Sequence, residues 1–111
     1  MSIEDHLQEA ISKFNQKAAT DEKLRSELAG VERTVLIKLD DGRAFNFDVR
    51  NGKAGDLRIG SAGNAQIIIE SNERTLEALF KKEIRVMKAY ATKKLRIKAS
   101  LEDMLRLRKF F

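Results

Sequence analysis

The amino-acid sequence predicts an α+β fold, with one mostly antiparallel sheet and helices mainly on one of its faces. Apolar residues recur every three or four positions near both ends of the chain, which is typical of amphipathic helices, and alternate with polar residues in the middle, which is typical of strands. Runs of strands with helices before and after them indicate an α+β domain. The length fits a single domain over residues 1–111.

Two helices are expected in the first thirty residues. Ser2 and Asp5 have the spacing of a capping box, which marks the start of the first helix. Thr20 is expected to cap a second helix over residues 21–29, which Gly30 ends. The first helix carries an apolar stripe formed by Ile3, Leu7, Ala10, Ile11, Phe14 and Ala18.

Four strands are expected in the middle of the chain. Residues 34–39 and 44–49 alternate between apolar and polar side chains around the turn signal Asp41-Gly42, and a short strand at residues 57–59 follows a second turn signal, Asn51-Gly52. In residues 65–71, three consecutive isoleucines fit a central strand that is covered on both faces, or a strand edged by a partner.

The last third of the chain predicts helix, strand and helix. Residues 74–92 fit either one helix or two short helices bent near Lys82-Glu83, because no glycine or proline interrupts them. Residues 94–99 form a basic strand, and Ser100 is expected to cap a last helix. That helix is expected to bury a stripe of Leu101, Met104, Leu105 and Leu107.

Composition excludes several classes of site. With no cysteine in the chain, there can be no disulfide, thiolate metal site or cysteine nucleophile. The N-terminal residues are acidic, unlike a signal peptide, and no apolar run is long enough to span a membrane, so we expect a cytoplasmic protein. The net charge of +5 is uneven, since residues 81–111 carry +8 and the rest −3. This basic end indicates a preference for an anionic surface.

No group of residues predicts catalysis, a metal site or a cofactor. The only histidine, His6, has no partner base in the sequence pattern and is expected to be a surface residue. Gly60-x-x-Gly63 precedes a strand instead of a helix, so it lacks the context of a phosphate-binding loop. We therefore expect a protein that is not an enzyme and has no cofactor.

Five short stretches in the last half of the chain form a recognisable pattern: Ala65-Gln66-Ile67-Ile68-Ile69, Leu76-Glu77-Ala78-Leu79, Lys88-Ala89-Tyr90, Lys93-Lys94-Leu95-Arg96-Ile97-Lys98-Ala99 and Met104-Leu105-Arg106-Leu107. Their order and spacing resemble the sterol-carrier-protein-type lipid-binding domain, also called the nonspecific lipid-transfer protein domain. The chain departs from that family at three positions. Lys93 and Ala99 stand where the family has two glycines, and Lys82 stands where it commonly has a small residue or glycine.

The resemblance implies a five-stranded, mostly antiparallel sheet with helices over one face, enclosing an apolar tunnel. Such a domain binds fatty acids, acyl-CoA, phospholipids or sterols without catalysis, and transfer of the ligand between membranes is an open alternative to simple binding. The implied tunnel lining is Ile67, Ile69, Leu79, Met87, Tyr90, Leu95, Ile97, Met104, Leu105 and Phe110. The implied contacts with an anionic head group or membrane surface are Lys94, Arg96, Lys98, Arg106 and Lys109.

Two other functions stay open at this point. The basic strand around Arg96 could bind nucleic acid through phosphates. That reading is disfavoured because Phe80 and Tyr90 fall on an apolar stripe and are expected to face inward, away from bases. Alternatively, the chain is a scaffold or dimerisation domain whose tunnel is filled by its own side chains, and a collapsed interior around Met87 and Met104 would favour this. The oligomeric state is not predicted.

Overall fold

A long N-terminal helix, a mixed sheet and a set of short C-terminal helices make up the chain, and the computed structural model describes all of residues 1–111. The helices are α1 (Ile3–Thr20), α2 (Glu22–Leu28), α3 (Glu73–Phe80), α4 (Val86–Ala91) and α5 (Leu101–Arg106), followed by a 3₁₀ turn (Arg108–Phe110). The strands are β1 (Arg33–Leu39), β2 (Ala44–Arg50), β3 (Lys53–Ala54), β4 (Arg58–Ile59), β5 (Ile67–Ser71) and β6 (Leu95–Lys98). The expected α+β class is confirmed.

The sheet has the strand order β3-β2-β1-β5-β6, and the short strand β4 also pairs with β2. β5 runs parallel to β1, while the remaining pairs are antiparallel. Strand β5 therefore lies between two other strands, which agrees with the first of the two arrangements that its three isoleucines allowed, a central strand. Ile67 and Ile69 face the buried core, whereas Ile68 lies beside Leu36 of β1 in the register. The short strand expected at residues 57–59 is observed as β4, and a further short strand that was not expected, β3, pairs with another part of β2.

The core lies between one face of the sheet and the helices. The inward residues of β1 and β2 are buried against the stripe of α1. Phe14 of α1 and Phe47 of β2 are each about 1% exposed and are the two largest fully buried side chains. Full burial of such a side chain contributes about 1.5–3 kcal/mol, so the helix depends on this face for its stability.

The helix starts follow the predicted capping chemistry, with one correction. Ser2 and Asp5 form both hydrogen bonds of a capping box. The N-cap of α2 is Asp21, not Thr20: its carboxylate accepts a hydrogen bond from the backbone N–H of Leu24 at 3.1 Å. Thr20 is instead the last residue of α1. A carboxylate also interacts favourably with the positive end of a helix, which a hydroxyl does less well.

Two helices occupy residues 74–92, which decides between the two alternatives left open by the sequence. Lys82 and Lys93 follow the C-caps of α3 and α4, and both have left-handed backbones, at φ 62° and 63°. In each case the next backbone N–H bonds five residues back, Glu83 to Ala78 and Lys94 to Ala89, which is a Schellman ending. Glycine favours this conformation, and these are two of the positions where the resemblance predicts a small residue or glycine.

The apolar stripe expected on α5 is wrong in part. Leu101 and Leu105 are 71% and 54% exposed, while Asp103 is 4% exposed. Asp103 pairs with Arg33 at 3.0 Å and with Arg106 at 2.7 Å. Burial raises the pKa of Asp103, but hydrogen bonds from the two guanidinium groups outweigh it and hold the pKa below its ordinary value. The side of α5 that carries Asp103 and its two ion pairs therefore faces the protein, and the side that carries Leu101 and Leu105 faces solvent.

Substitution of Lys93 by glycine should stabilise the fold, because glycine adopts the left-handed conformation without the cost of roughly 1–2 kcal/mol borne by other residues. After the greater flexibility of unfolded glycine is counted, Lys93→Gly should raise the free energy of unfolding by about 0.5–1 kcal/mol, measured by urea denaturation. The control is Lys94→Gly, where φ is not positive. It should lower stability, and equal effects at both positions would contradict the assignment.

Candidate functional site

The ten residues predicted to line a tunnel divide into three groups in the structure. Ile67, Ile69, Leu79, Leu95 and Phe110 are buried in the core. Ile97 and Met104 are half-buried. Met87, Tyr90 and Leu105 are 78%, 47% and 54% exposed. None of the five principal clefts brings two of these ten residues together.

The inward orientation expected for Tyr90 and Met87 is wrong because the helix is broken. The expected stripe continued from α3 into residues 87–90 with unchanged helical phase. The left-handed residue Lys82 ends α3 and resets that phase, so α4 buries Ala89, which is 0% exposed. Their part in ligand binding stays a prediction, since exposure alone does not test it.

The C-terminal residues close the space between helices and sheet. The ring of Phe110 lies 5.4 Å from that of Phe47, 6.4 Å from Phe14 and 6.0 Å from Phe80, measured between centroids. Phe111 stacks on Phe80 at 5.5 Å. We call these five residues the aromatic cluster. Sequence periodicity placed Phe14 and Phe47 on buried faces, but it contains no signal that residue 110 packs between them.

Two ion pairs fasten the C-terminal 3₁₀ turn to α2. Arg108 lies 2.7 Å from Glu27, and Lys109 lies 2.5 Å from Asp21. The hydrogen bond from Lys109, followed by that from the backbone of Leu24, lowers the pKa of Asp21 to about 2. The hydrogen bond from Arg108 likewise lowers the pKa of Glu27. Asp21 thus caps α2 and holds the segment that carries Phe110.

A cleft of about 250 Å³ adjoins the aromatic cluster. Its lining consists of His6, Glu9, Ala10, Lys13, Lys17, Phe80, Lys82, Lys109, Phe110 and Phe111. Four lysines and one glutamate therefore surround a floor that is largely aromatic. We call this the lysine cleft.

His6 is buried in this cleft, and the prediction of a surface residue is wrong. Its side chain stacks on Phe80 at 6.3 Å, and the residue is 8% exposed. The position lies three residues after Ile3 and four before Ala10, so it belongs to the buried stripe of α1. That spacing was visible in the sequence and was the signal that could have placed it. Its Nε2 is buried and has no hydrogen-bond partner.

Most of the cations predicted to meet an anionic head group are already paired. Arg96 lies 2.5 Å from Asp40, Lys98 lies 3.4 Å from Glu70, and Arg106 and Lys109 pair with Asp103 and Asp21. Lys94 alone of the five has no carboxylate within 4.0 Å. The five also lie on different parts of the surface, from β6 to the lysine cleft. The sequence shows these charges, but their pairing depends on contacts between residues that are far apart in the chain.

Cations without a carboxylate partner are concentrated around α4. The segment from Lys82 to Lys94 contains one acid, Glu83, and two exposed large hydrophobic side chains, Met87 and Tyr90. The cations of this segment that form no ion pair are Lys82, Arg85, Lys88, Lys93 and Lys94. We call this segment the α4 surface. It combines unneutralised positive charge with exposed apolar groups.

No group of three or more histidine, cysteine, aspartate or glutamate side chains is placed to hold a metal ion. None of the helices combines the length and the apolar character that crossing a bilayer requires.

Comparisons with known proteins bear on the fold and on the family. The model of the SCP-2 sterol transfer family matches residues 11–111. No curated protein matches the chain in sequence. The resemblance found in residues 65–110 is therefore confirmed and extends into the N-terminal half.

Solved structures share the fold at low sequence identity. The ubiquinone synthesis protein UbiJ-SCP2 has a TM-score of 0.66 at 12% identity, over 94% of this chain and 90% of that one. Palmitated SCP2L2 from Aedes aegypti has a TM-score of 0.64 at 19% identity, over 98% and 95%. The sec-alkylsulfatase Pisa1 from Pseudomonas sp. has a TM-score of 0.60 at 17% identity, over 77% of this chain. This chain spans only 13% of the alkylsulfatase.

The ion pair of Asp21 predicts a loss of stability in acid. Its folded pKa of about 2 lies below the ordinary 3.8, so the unfolded chain takes up the proton first as pH falls. The stabilisation is complete above about pH 4 and is lost as pH decreases toward about 2. Asp21→Asn keeps an N-cap but lacks the charge that holds Lys109.

Its free energy of unfolding, from urea denaturation at several pH values, should therefore fall less steeply over that range than that of the unmodified protein. Parallel pH profiles would show that the Lys109 pair does not stabilise the fold.

Proposed function

Because the chain belongs to the SCP-2 sterol transfer family, we propose that residues 1–111 act as a single, non-enzymatic lipid-binding domain. The ligand is a fatty acid, acyl-CoA, phospholipid or sterol, held between sheet and helices. The family supports lipid or sterol binding in general terms. One observation carries the specific site: the apolar space between α1, α3 and β2 is closed by Phe110, from the end of the chain.

A lipid chain has enough apolar surface to take the place of that ring. Each buried methylene contributes about 0.8 kcal/mol, so ten methylenes contribute about 8 kcal/mol. Loss of one buried phenylalanine ring costs about 3–5 kcal/mol. The methylenes of the ligand thus contribute more free energy than the displacement of the ring costs, before the entropy of association is counted. The ligand would then meet the buried group of predicted lining residues, Ile67, Ile69, Leu79 and Leu95, with Ile97 beside them.

Lipid binding is tested by nondenaturing mass spectrometry of the purified protein and by displacement of a fluorescent fatty acid. We expect co-purified lipid and displacement at micromolar concentrations. Phe110→Ala should bind several-fold more tightly, because the ligand no longer has to displace the ring. The matched control is Leu101→Ala, which removes an exposed side chain and should leave affinity unchanged.

Absence of both lipid and displacement would contradict the proposal. That result would instead favour the scaffold or dimerisation alternative, which the filled interior also supports. Equal affinity of Phe110→Ala and the unmodified protein would show that the ligand does not use the space that Phe110 fills.

Contact with an anionic membrane is proposed for the α4 surface. Its unpaired cations would each contribute roughly 1 kcal/mol near an anionic leaflet, and Met87 and Tyr90 supply apolar and interfacial contacts. Lys94 belongs to both this surface and the set predicted from the sequence. The membrane role of Arg96, Lys98, Arg106 and Lys109 stays a prediction. A cytoplasmic location likewise stays a prediction.

Vesicle flotation tests the α4 surface. Binding to phosphatidylserine-containing vesicles, and not to pure phosphatidylcholine, should be lost in the double variant Arg85→Glu, Lys88→Glu. The double variant Lys23→Glu, Lys53→Glu makes the same change of net charge elsewhere and should retain binding. Equal loss in both would show an effect of net charge alone.

Nucleic acid is the competing occupant of the α4 surface, because Tyr90 is exposed among the cations, contrary to the sequence-based expectation. Binding of single-stranded RNA that is lost in the first double variant, without vesicle binding, would replace the membrane proposal.

A further inference from the structure

The lysine cleft contains two ammonium groups that no carboxylate neutralises. Lys13 pairs with Glu9 at 2.8 Å, and Lys109 pairs with Asp21 at 2.5 Å. Lys17 has only the backbone carbonyl of Lys109 near its Nζ, at 3.5 Å, and Lys82 forms no ion pair. The cleft therefore carries a local excess of positive charge, to which an anion would be attracted.

His6 is the second and independent feature of the cleft. Its Nε2 is the one buried side-chain nitrogen or oxygen in the protein without a hydrogen-bond partner. A buried polar group left in this state costs about 1–3 kcal/mol. Because Nε2 is buried, a ligand can become its partner only by moving one of the neighbouring side chains. An acyl chain that displaces Phe110 would do this, since Phe110 lines the same cleft.

Lys82 points to the same site. Its backbone is left-handed, where glycine would be unstrained, yet the position carries a lysine whose side chain lines the cleft. Strained non-glycine residues of this kind concentrate at functional sites. The cost of the conformation is offset if the side chain binds a ligand.

The cleft is continuous with the aromatic cluster. Phe80, Phe110 and Phe111 belong to both, so a molecule can be charged at the rim and apolar toward the core. The cleft has a volume of about 250 Å³. This is enough for a carboxylate or phosphate and the first methylenes behind it.

We propose that the lysine cleft binds the carboxylate or phosphate head group of an amphiphile whose acyl chain displaces Phe110. Lys17 and Lys82 neutralise the head group, and His6 donates a hydrogen bond to it from Nε2. This inference rests on the proposed lipid-binding function and narrows the ligand to an anionic amphiphile. Neutral lipids of the same chain length then bind more weakly.

The test compares lauric acid with methyl laurate at neutral pH in the fluorescent displacement assay. The acid should bind about tenfold more tightly, as expected for one charge-assisted contact of about 1.4 kcal/mol. The double variant Lys17→Gln, Lys82→Gln should lose this preference while its affinity for the ester is unchanged. The double variant Lys23→Gln, Lys53→Gln removes the same charge elsewhere and should keep the preference.

His6→Phe gives a second readout that a purely structural role would not produce. This substitution removes the buried nitrogen that lacks a hydrogen-bond partner and keeps an aromatic ring against Phe80. The free energy of unfolding in urea should therefore rise. At the same time the preference for the acid over the ester should fall. A gain in stability with an unchanged preference would exclude His6 from head-group binding.

Three outcomes would overturn the proposal in distinguishable ways. Equal binding of acid and ester by the unmodified protein would reject the head-group site and leave lipid binding intact. Binding of neither would reject lipid binding itself. Binding of acetate or inorganic phosphate alone, weakened by the Lys17→Gln, Lys82→Gln change while acid and ester bind equally, would assign the cleft to a free small anion.

Discussion

The packing of Phe110 against Phe47 is the contact on which the rest of the interior depends. It joins the last turn of the chain to the middle of the sheet, and it brings Phe14 and Phe80 into the same cluster. Phe110 thus adds a contact between the sheet and the helices α1 and α3, made by a residue that belongs to neither helix. Aromatic pairs in such offset or edge geometry contribute about 0.5–1.5 kcal/mol beyond the burial of their area.

Helix α2 holds this arrangement in place from outside. Only Leu24 and Leu28 of the helix are buried, but its acids Asp21 and Glu27 hold the two cations that precede Phe110. Exposed pairs of this type are individually weak. Their effect here is to restrict a chain end that would otherwise be free to fray. The interior is therefore held closed both by the aromatic cluster and by the ion pairs of Asp21 and Glu27 at the surface.

Much of the fold could be predicted from the sequence because its signals are local. The two periodicities identified α1, β1, β2 and β5, and short-range hydrogen bonding identified the caps at Ser2 and Ser100. One error arose because the apolar stripe was extended through Lys82-Glu83, although a bend there was one of the two alternatives. Lys82 ended a helix without glycine or proline, and the stripe that ran through it failed at Met87 and Tyr90.

The candidate site could be predicted less well, because its chemistry depends on contacts between distant residues. The buried lining positions Ile67, Ile69 and Leu95 follow from strand alternation. The neutralisation of Arg96 by Asp40, 56 residues away, does not follow from any local pattern. The lysine cleft was missed for the same reason, since it assembles α1, the end of α3 and the C-terminal turn.

The position of the basic strand β6 in the sheet also affects how this chain could self-associate, independently of any ligand. It is an edge of the sheet, and its outward side chains include Arg96 and Lys98. Charged side chains on an edge strand discourage another strand from pairing there, and the opposite edge offers only the two-residue strands β3 and β4. Both borders of the sheet thus resist extension into a larger sheet, so self-association of this chain would have to use its helices or its outer sheet face.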